Sequence, residues 1–327
     1  MRRARCGVLL RVVAWGGALV AGLGGCIGLM TLAGTPEGAL GSWMALASMP
    51  SARQEVAAAE AGGRVYVVGG FGKRFRPTAT LEVYDPKKNS WEEKAPLPIP
   101  VHHAAAVGLN GKIYVIGGFT GRIRWNPLDT LFEYDPATNV WRQRVSMPTA
   151  RGALAAAVVN GKIHVLGGGG PKPLNAHEVY DPAADRWTQA NSMPMARHHL
   201  AAVGLDGKVY ALGGRESFFG DRYDHVGIYD PATDSWRTGP PLPLARGGLA
   251  AVALAGRIFV FGGELPFRIV SATEMYDPAT NRWASKAPMP TPRHGIGAVA
   301  VGGWIYVPGG ADNPGPGRTD VLEAFKP

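Results

Sequence analysis

Short apolar runs of strand length recur along most of the chain, and each ends in a pair of glycines followed by a polar loop. The clearest copy is Gly111 to Gly118, reading Gly-Lys-Ile-Tyr-Val-Ile-Gly-Gly. The glycine pairs stand at Gly69-Gly70, Gly117-Gly118, Gly167-Gly168, Gly213-Gly214, Gly262-Gly263 and Gly309-Gly310, separated by 48, 50, 46, 49 and 47 residues. Runs of this length closed by small residues predict buried β-strands. A period near fifty predicts a repeat architecture, and its reach along the chain predicts one closed body.

One repeat, Arg246 to Trp283, divides into four strands. Leu249 to Leu254 is strand a, Arg257 to Phe261 strand b, Thr273 to Tyr276 strand c, and the segment at Trp283 strand d. Between a and b, other copies carry Asn110-Gly111, Asn160-Gly161 and Asp206-Gly207, the residues a tight type I′ hairpin needs for positive φ. Between c and d the chain reads Asp-Pro-x-x-[Asn or Asp]-x-Trp, a stereotyped turn, as at Asp85 to Trp91 and Asp135 to Trp141.

A glycine pair after an apolar strand, Tyr-Asp-Pro, a tryptophan about six residues on, then Met-Pro-x-x-Arg resembles the kelch repeat, over about residues 41 to 327. The resemblance implies an all-β fold, a six-bladed β-propeller of four-stranded blades. The sixth repeat stops at Phe325 without its tryptophan, while Trp43 stands alone before the first. The N-terminal segment is therefore expected to supply strand d of the last blade, so that the propeller spans 35–327.

Composition changes this picture little. The 46 glycines and 27 prolines fall at fixed points of the repeat and so mark turns. Of the net charge of +9, Arg2, Arg3, Arg5 and Arg11 supply four, and no basic run or nucleic-acid motif accompanies the remainder. Nucleic acid is not an expected partner. Those arginines precede 22 uncharged residues, Val12 to Ala33, so residues 1–34 look like an export or anchoring segment. Leu23-Gly24-Gly25-Cys26 resembles a lipoprotein box. Cleaved signal, acylated cysteine and retained anchor all remain open, and all place the propeller outside the cytoplasm, with membrane contact only through this segment. Both cysteines, Cys6 and Cys26, lie there, so the repeats can form no internal disulfide.

In a four-stranded blade the b to c and d to a loops share one face, and only these vary between copies, which makes that face the expected binding mouth. In kelch propellers that bind through this mouth, the residues after the glycine pair and after the repeat arginine line the pocket. Carried over, the first ring is Phe71, Phe119, Gly169, Arg215, Glu264 and Ala311, and the second Gln54, His102, Gly152, His198, Gly247 and His294. Arg76 and Arg124, each six residues past the pair, are added as ligand contacts. The first three loops hold Lys73, Arg74, Arg76, Arg122, Arg124 and Lys172 against Asp129 alone, and the opposite arc is mildly acidic. Aromatics are interleaved at Phe71, Phe75, Phe119, Trp125, Phe218, Phe219, Tyr223 and Phe267. Arginine and aromatic anchors on one face suit a peptide or glycan, anionic ones included.

Arg53, Arg151, Arg246 and Arg293 each share a repeat with Glu82, Glu178, Glu274 or Glu323. The second repeat lacks both, with Val101 and Phe132 in their places, and joint loss predicts a buried ion pair within each blade. The fourth keeps Arg197 beside Gly227. His102, His198 and His294 lie 96 residues apart each time, on alternate blades, a threefold arrangement open to packing, ligand contact or metal binding. A metal would require their ring nitrogens within roughly 3 to 4 Å of one another.

The function expected is an extracytoplasmic, monomeric binding module, without cofactor, that recognises a protein segment or glycan. Kelch propellers also include copper oxidases acting on galactose, whose site needs a cysteine the repeats lack. They include secreted six-bladed sialic-acid mutarotases as well, so a carbohydrate-active enzyme is the alternative, with Glu264, His198 and Arg215 as candidate acid–base groups. No catalytic motif is matched.

Overall fold

Six sheets of four antiparallel strands, with two two-stranded ribbons in the loops, make up the computed structural model, which describes residues 40–217 and 220–327. The first blade runs Ala57–Ala61, Arg64–Val68, Leu81–Asp85 and Ser90–Lys94, and the next four repeat this order. The fifth, Ala250–Leu254, Arg257–Phe261, Thr273–Asp277 and Arg282–Ser285, falls where the repeat pattern places it. The last blade takes Val299–Val301, Trp304–Pro308 and Leu322–Lys326 from the C-terminal end, and Ser42–Ala45 as its outer strand. Ser42 pairs with Lys326 and Ala45 with Glu323, so the N-terminal strand closes the ring as expected. The export or anchoring segment expected over 1–34 lies outside the described residues, as do Phe218 and Phe219.

Turn chemistry follows the sequence. Asn110-Gly111, Asn160-Gly161 and Asp206-Gly207 all have positive φ at both residues, the type I′ signature. Each tryptophan on an outer strand reaches back to the preceding blade. Trp91, Trp141, Trp187, Trp236 and Trp283 donate their indole N–H to the carbonyls of Ala47, Ala95, Val145, Asn191 and Pro240. Trp43 makes the same bond to Ala287 across the closure at 2.8 Å.

The second glycine of each pair ties neighbours together near the axis. Gly70 N–H donates to Val101 O and Gly310 N–H to Arg53 O, both at 2.8 Å, so this stitch also crosses the closure. A Cβ on Gly70, at φ +90°, would lie 2.5 Å from the Gln54 carbonyl oxygen, which is why this position takes glycine.

The core is six apolar clusters, one per blade interface. A typical one joins Leu81, Val83, Ile113, Val115 and Tyr134 between the first two blades. Apolar burial on both faces of every inner sheet explains the continuous apolar runs.

The repeat arginines are structural, and four of them make the expected pairs. Arg53 Nη2 lies 2.7 Å from Glu82 and Arg293 Nη2 2.7 Å from Glu323, while Arg151 binds Glu178 and Arg246 binds Glu274, all nearly solvent-free. Hydroxyls of Ser51, Thr149 and Thr291 donate to the second oxygen of three of these carboxylates. Arg197 donates instead to the carbonyls of His225 and Ala211, both at 3.0 Å. Without an acid beside it, burial pushes its pKa down to about 10.

Candidate functional site

Chain direction around the repeat arginines builds the mouth. After each arginine (Val101 in the second blade) comes one residue paired with the residue after the glycine pair: Gln54 with Phe71, His102 with Phe119, Gly152 with Gly169, His198 with Arg215, Gly247 with Glu264 and His294 with Ala311. The two expected rings are thus bridged partners, position by position.

Inside them lies a third ring that the sequence reading missed: Glu55, His103, Ala153, His199, Gly248 and Gly295. All six are left-handed, with φ between +52° and +64°. Their backbones form a belt around the axis. His103 N–H donates to Glu55 O, Ala153 to His103, His199 to Ala153, Gly248 to His199 and Gly295 to Gly248, at 2.8–3.2 Å, and Val56 N–H completes the circle on Gly295 O at 3.4 Å. Left-handed φ suits glycine, the choice of the last two blades, and costs another residue about 1–3 kcal/mol. Glutamate, alanine and histidine are held there at that cost, and of these only Glu55, His103 and His199 bring polar side chains to the axis. Gly295 also makes room, since a Cβ on it would lie 2.6 Å from Glu55 Oε1.

Hydrogen-bond geometry sets the histidine tautomers. His102 Nε2 lies 3.1 Å from the Gly121 carbonyl, which only accepts, so Nε2 carries the proton and Nδ1 is a lone pair. His103 Nδ1, 2.6 Å from His102 Nδ1, therefore donates, leaving His103 Nε2 bare and 3.3 Å from Glu55 Oε2. The fourth blade repeats this. Arg215 Nη2 donates to His199 Nε2 at 3.0 Å, so His199 Nδ1 donates to His198 Nδ1 at 2.6 Å. In the sixth blade His294 Nε2 donates to Asn313 O at 3.2 Å, and its bare Nδ1 lies 3.7 Å from both Glu55 and Glu264.

Burial keeps these imidazoles neutral. It lowers His102 and His198 to about 4, holds His103 and His199 well below the ordinary value, and lowers His294 against the pull of Glu264. Glu55 moves the other way. Burial first, then repulsion from Glu264, raises it to about 8, with Arg215 opposing. A protonated Glu55 is what the bare His103 Nε2 accepts from. Glu264 is held by a buried ion pair with Arg215.

Above this polar floor a cavity of about 490 Å³ opens, and Gln54, Phe71, Arg215, Glu264 and His294 line it as expected. Phe75, Trp125, Arg122 and Ile123 form its wall, with Glu55 and His103 below. Phe71 stacks on Phe75 at 4.0 Å between ring centroids and on His102 at 3.9 Å. A second cavity, about 230 Å³, lies beyond Trp125 against Phe119, His198 and Arg215.

The structure places some of the expected residues away from the cavities. Arg76 and Arg124 are exposed and line neither cavity; the first loop lines the larger cavity with Phe75 and the second with Arg122, Ile123 and Trp125. His102 is fully buried, with Phe71 stacked on its ring and its Nε2 on the Gly121 carbonyl, so it lies behind the lining of the mouth. His102, His198 and His294 do not converge on one point. Among the described residues, the group whose ligand atoms all lie within 4.8 Å is Glu55, His103 and His199. The His-His doublets at 102–103 and 198–199, 96 residues apart, carried the signal.

Comparison with known proteins bears on the family. The description KLHDC2/KLHL20/DRC7 Kelch-repeats domain matches residues 34–214, more than half of the chain, and the Kelch motif matches 196–243 and 245–290. The chain belongs to the kelch-repeat family. Among solved structures, one titled "Structure of YjhT" is similar, with a TM-score of 0.73 over 85% of this chain and 95% of that chain. At 17% identity that likeness shows the fold of this kelch propeller. No curated protein matches the sequence.

Proposed function

We propose that this kelch propeller binds a small sugar or sugar acid in the larger mouth cavity. The observation that carries the reading is the cavity's mixed lining. Phe71, Phe75 and Trp125 supply aromatic faces, and Glu55, Glu264, Arg215 and His294 supply polar groups that are largely buried. A sugar ring has the same division, with C–H faces that stack on aromatics and hydroxyls that need fixed donors and acceptors. A volume of about 490 Å³ suits one or two sugar rings better than an extended protein segment. Arg122 at the wall supplies a cation for a carboxylate on the ligand. The sequence of residues 1–34 supports a place outside the cytoplasm, where such ligands are met.

A second reading is a carbohydrate-active enzyme of the sialic-acid mutarotase kind. Glu55 favours it, as a carboxyl that holds its proton near neutral pH beside the bare His103 nitrogen and is placed to exchange that proton with a sugar oxygen. A glycan array extended with free monosaccharides and sugar acids, followed by calorimetry on hits, tests the binding reading. Trp125→Ala should weaken a true ligand at least tenfold. Absence of any sugar ligand, or affinity indifferent to Trp125, refutes it. Anomer-exchange NMR on the same hits, with Glu55→Gln beside wild type, separates enzyme from binder.

A further inference from the structure

We propose that Glu55, His103 and His199 form a binding site for a transition-metal dication of the zinc type at the floor of the mouth. The tautomers argue for it. Backbone carbonyls and neighbouring side chains fix protons on the outer ring nitrogens, so that His103 Nε2, His199 Nε2 and His294 Nδ1 all present lone pairs inward. A metal-binding imidazole needs this arrangement, with one nitrogen donating to an outer partner and the other bare. Here the outer partners are themselves histidines, His102 and His198, on consecutive residues.

Distances agree in part with a closed site. Zinc at about 2.0–2.1 Å from its ligands sets tetrahedral neighbours about 3.3 Å apart. His103 Nε2 and Glu55 Oε2 already stand at 3.3 Å. The full set lies within 4.8 Å, so a small rotamer adjustment of His199 or Glu55 brings all three to zinc distance. An independent observation points to the same place. His294 is 4% exposed, and its Nδ1 has no hydrogen-bond partner although it lies 3.7 Å from Glu55 Oε1. A buried bare nitrogen is costly unless something is there to receive it. Two histidines and a glutamate form a known zinc ligand set, and His294 stands ready as a fourth ligand or a contact to bound water.

Arg215 is the competing group, since it donates to His199 Nε2 without the metal. Its bond to Glu264 leaves it a carboxylate partner when it releases His199. The site does not depend on a sugar being the ligand. Glu55 and His103 also border the larger cavity, so any oxygen ligand entering there reaches the ion.

The test is uptake of Zn²⁺ and Co²⁺ by the full chain after chelator treatment, followed by calorimetry and by the visible absorption of Co²⁺, whose intensity reports four-coordination. One ion per chain is expected, with a rise in melting temperature. Removing both imidazoles, His103→Ala with His199→Ala, should weaken zinc by more than about 100-fold, the upper end of what outer-shell losses cost. Glu55→Gln, which preserves shape, should weaken it at least tenfold, and melting in chelator shows that each variant is folded. No stoichiometric uptake by wild type, or uptake unchanged in the double variant, overturns the proposal.

Discussion

Replacing Glu55 with glutamine should flatten the alkaline side of the protein's pH–stability profile. Burial and Glu264 raise the Glu55 carboxyl to about 8 in the folded state, against about 4.5 when unfolded. Between these values the folded chain binds more protons than the unfolded chain, so the contribution of Glu55 is full below pH 4.5 and is lost as pH rises through 8. A shift of about 3.5 units at about 1.36 kcal/mol each gives a ceiling near 5 kcal/mol. Relaxation of Glu55 toward Arg215 on ionisation will reduce it, and about 2 kcal/mol is a reasonable floor. Glutamine keeps the size of the side chain and can donate to His103 Nε2, as the protonated acid does. Wild type and Glu55→Gln should therefore be closest at pH 5 and separate steadily up to about pH 8, where the gap levels off, with the variant ahead. Urea unfolding by tryptophan fluorescence, at half-unit steps from pH 5 to 9, measures this directly. Parallel profiles would show that Glu55 is ionised throughout, and the tautomer assignment of His103 would fall with it.

Other perturbations probe the frame and the rim. Below pH 6.5 stability should fall, because His102 and His198 stay neutral to about pH 4 when folded while their unfolded counterparts take up protons. Chemical unfolding from pH 7 to 4.5 measures this, and a flat profile contradicts it. Arg151→Val should cost about 3–5 kcal/mol by stranding Glu178, and adding Glu178→Phe, the apolar solution of the second blade, should recover at least half, as read from urea midpoints. Trp43→Ala should cost about 2–4 kcal/mol, since its ring packs on Phe261 and Phe325 and its N–H binds Ala287, with aggregation on heating as the visible sign. For any anionic ligand found, Arg122→Ala should weaken binding and reduce its salt dependence, while Arg76→Ala with Arg124→Ala should change affinity by less than twofold in calorimetry.

The blades, their turns and the closure were legible because each is written many times, so repetition separates signal from accident. The Arg–Glu pairs were legible for the related reason that Val101 and Phe132 replace both members at once. The site was legible only to the level of which loops and which rings. Whether Arg122 or Arg124 faces inward depends on how one loop turns, and the loop of the first blade, which carries Arg74 and Arg76 at the same offsets, repeats the choice without deciding it. Glu55, His103 and His199 were hidden because their shared property is a left-handed backbone, which sequence reveals through glycine. Four of the six blades place another residue there.

The outer strand of the last blade also sets an order of events for the chain as it is made. Ser42 pairs with Lys326, so almost the whole chain must emerge before its first strand finds a partner. Joining ends roughly 280 residues apart carries an entropic cost of about 5 kcal/mol when the intervening chain is loose, and far less once five blades have formed and brought the ends together. Closure is therefore a late step. Until then the strand carrying Trp43 waits with its indole uncovered, and the first and sixth blades keep open flanks. During synthesis, this interval is when the molecule has most need of a chaperone.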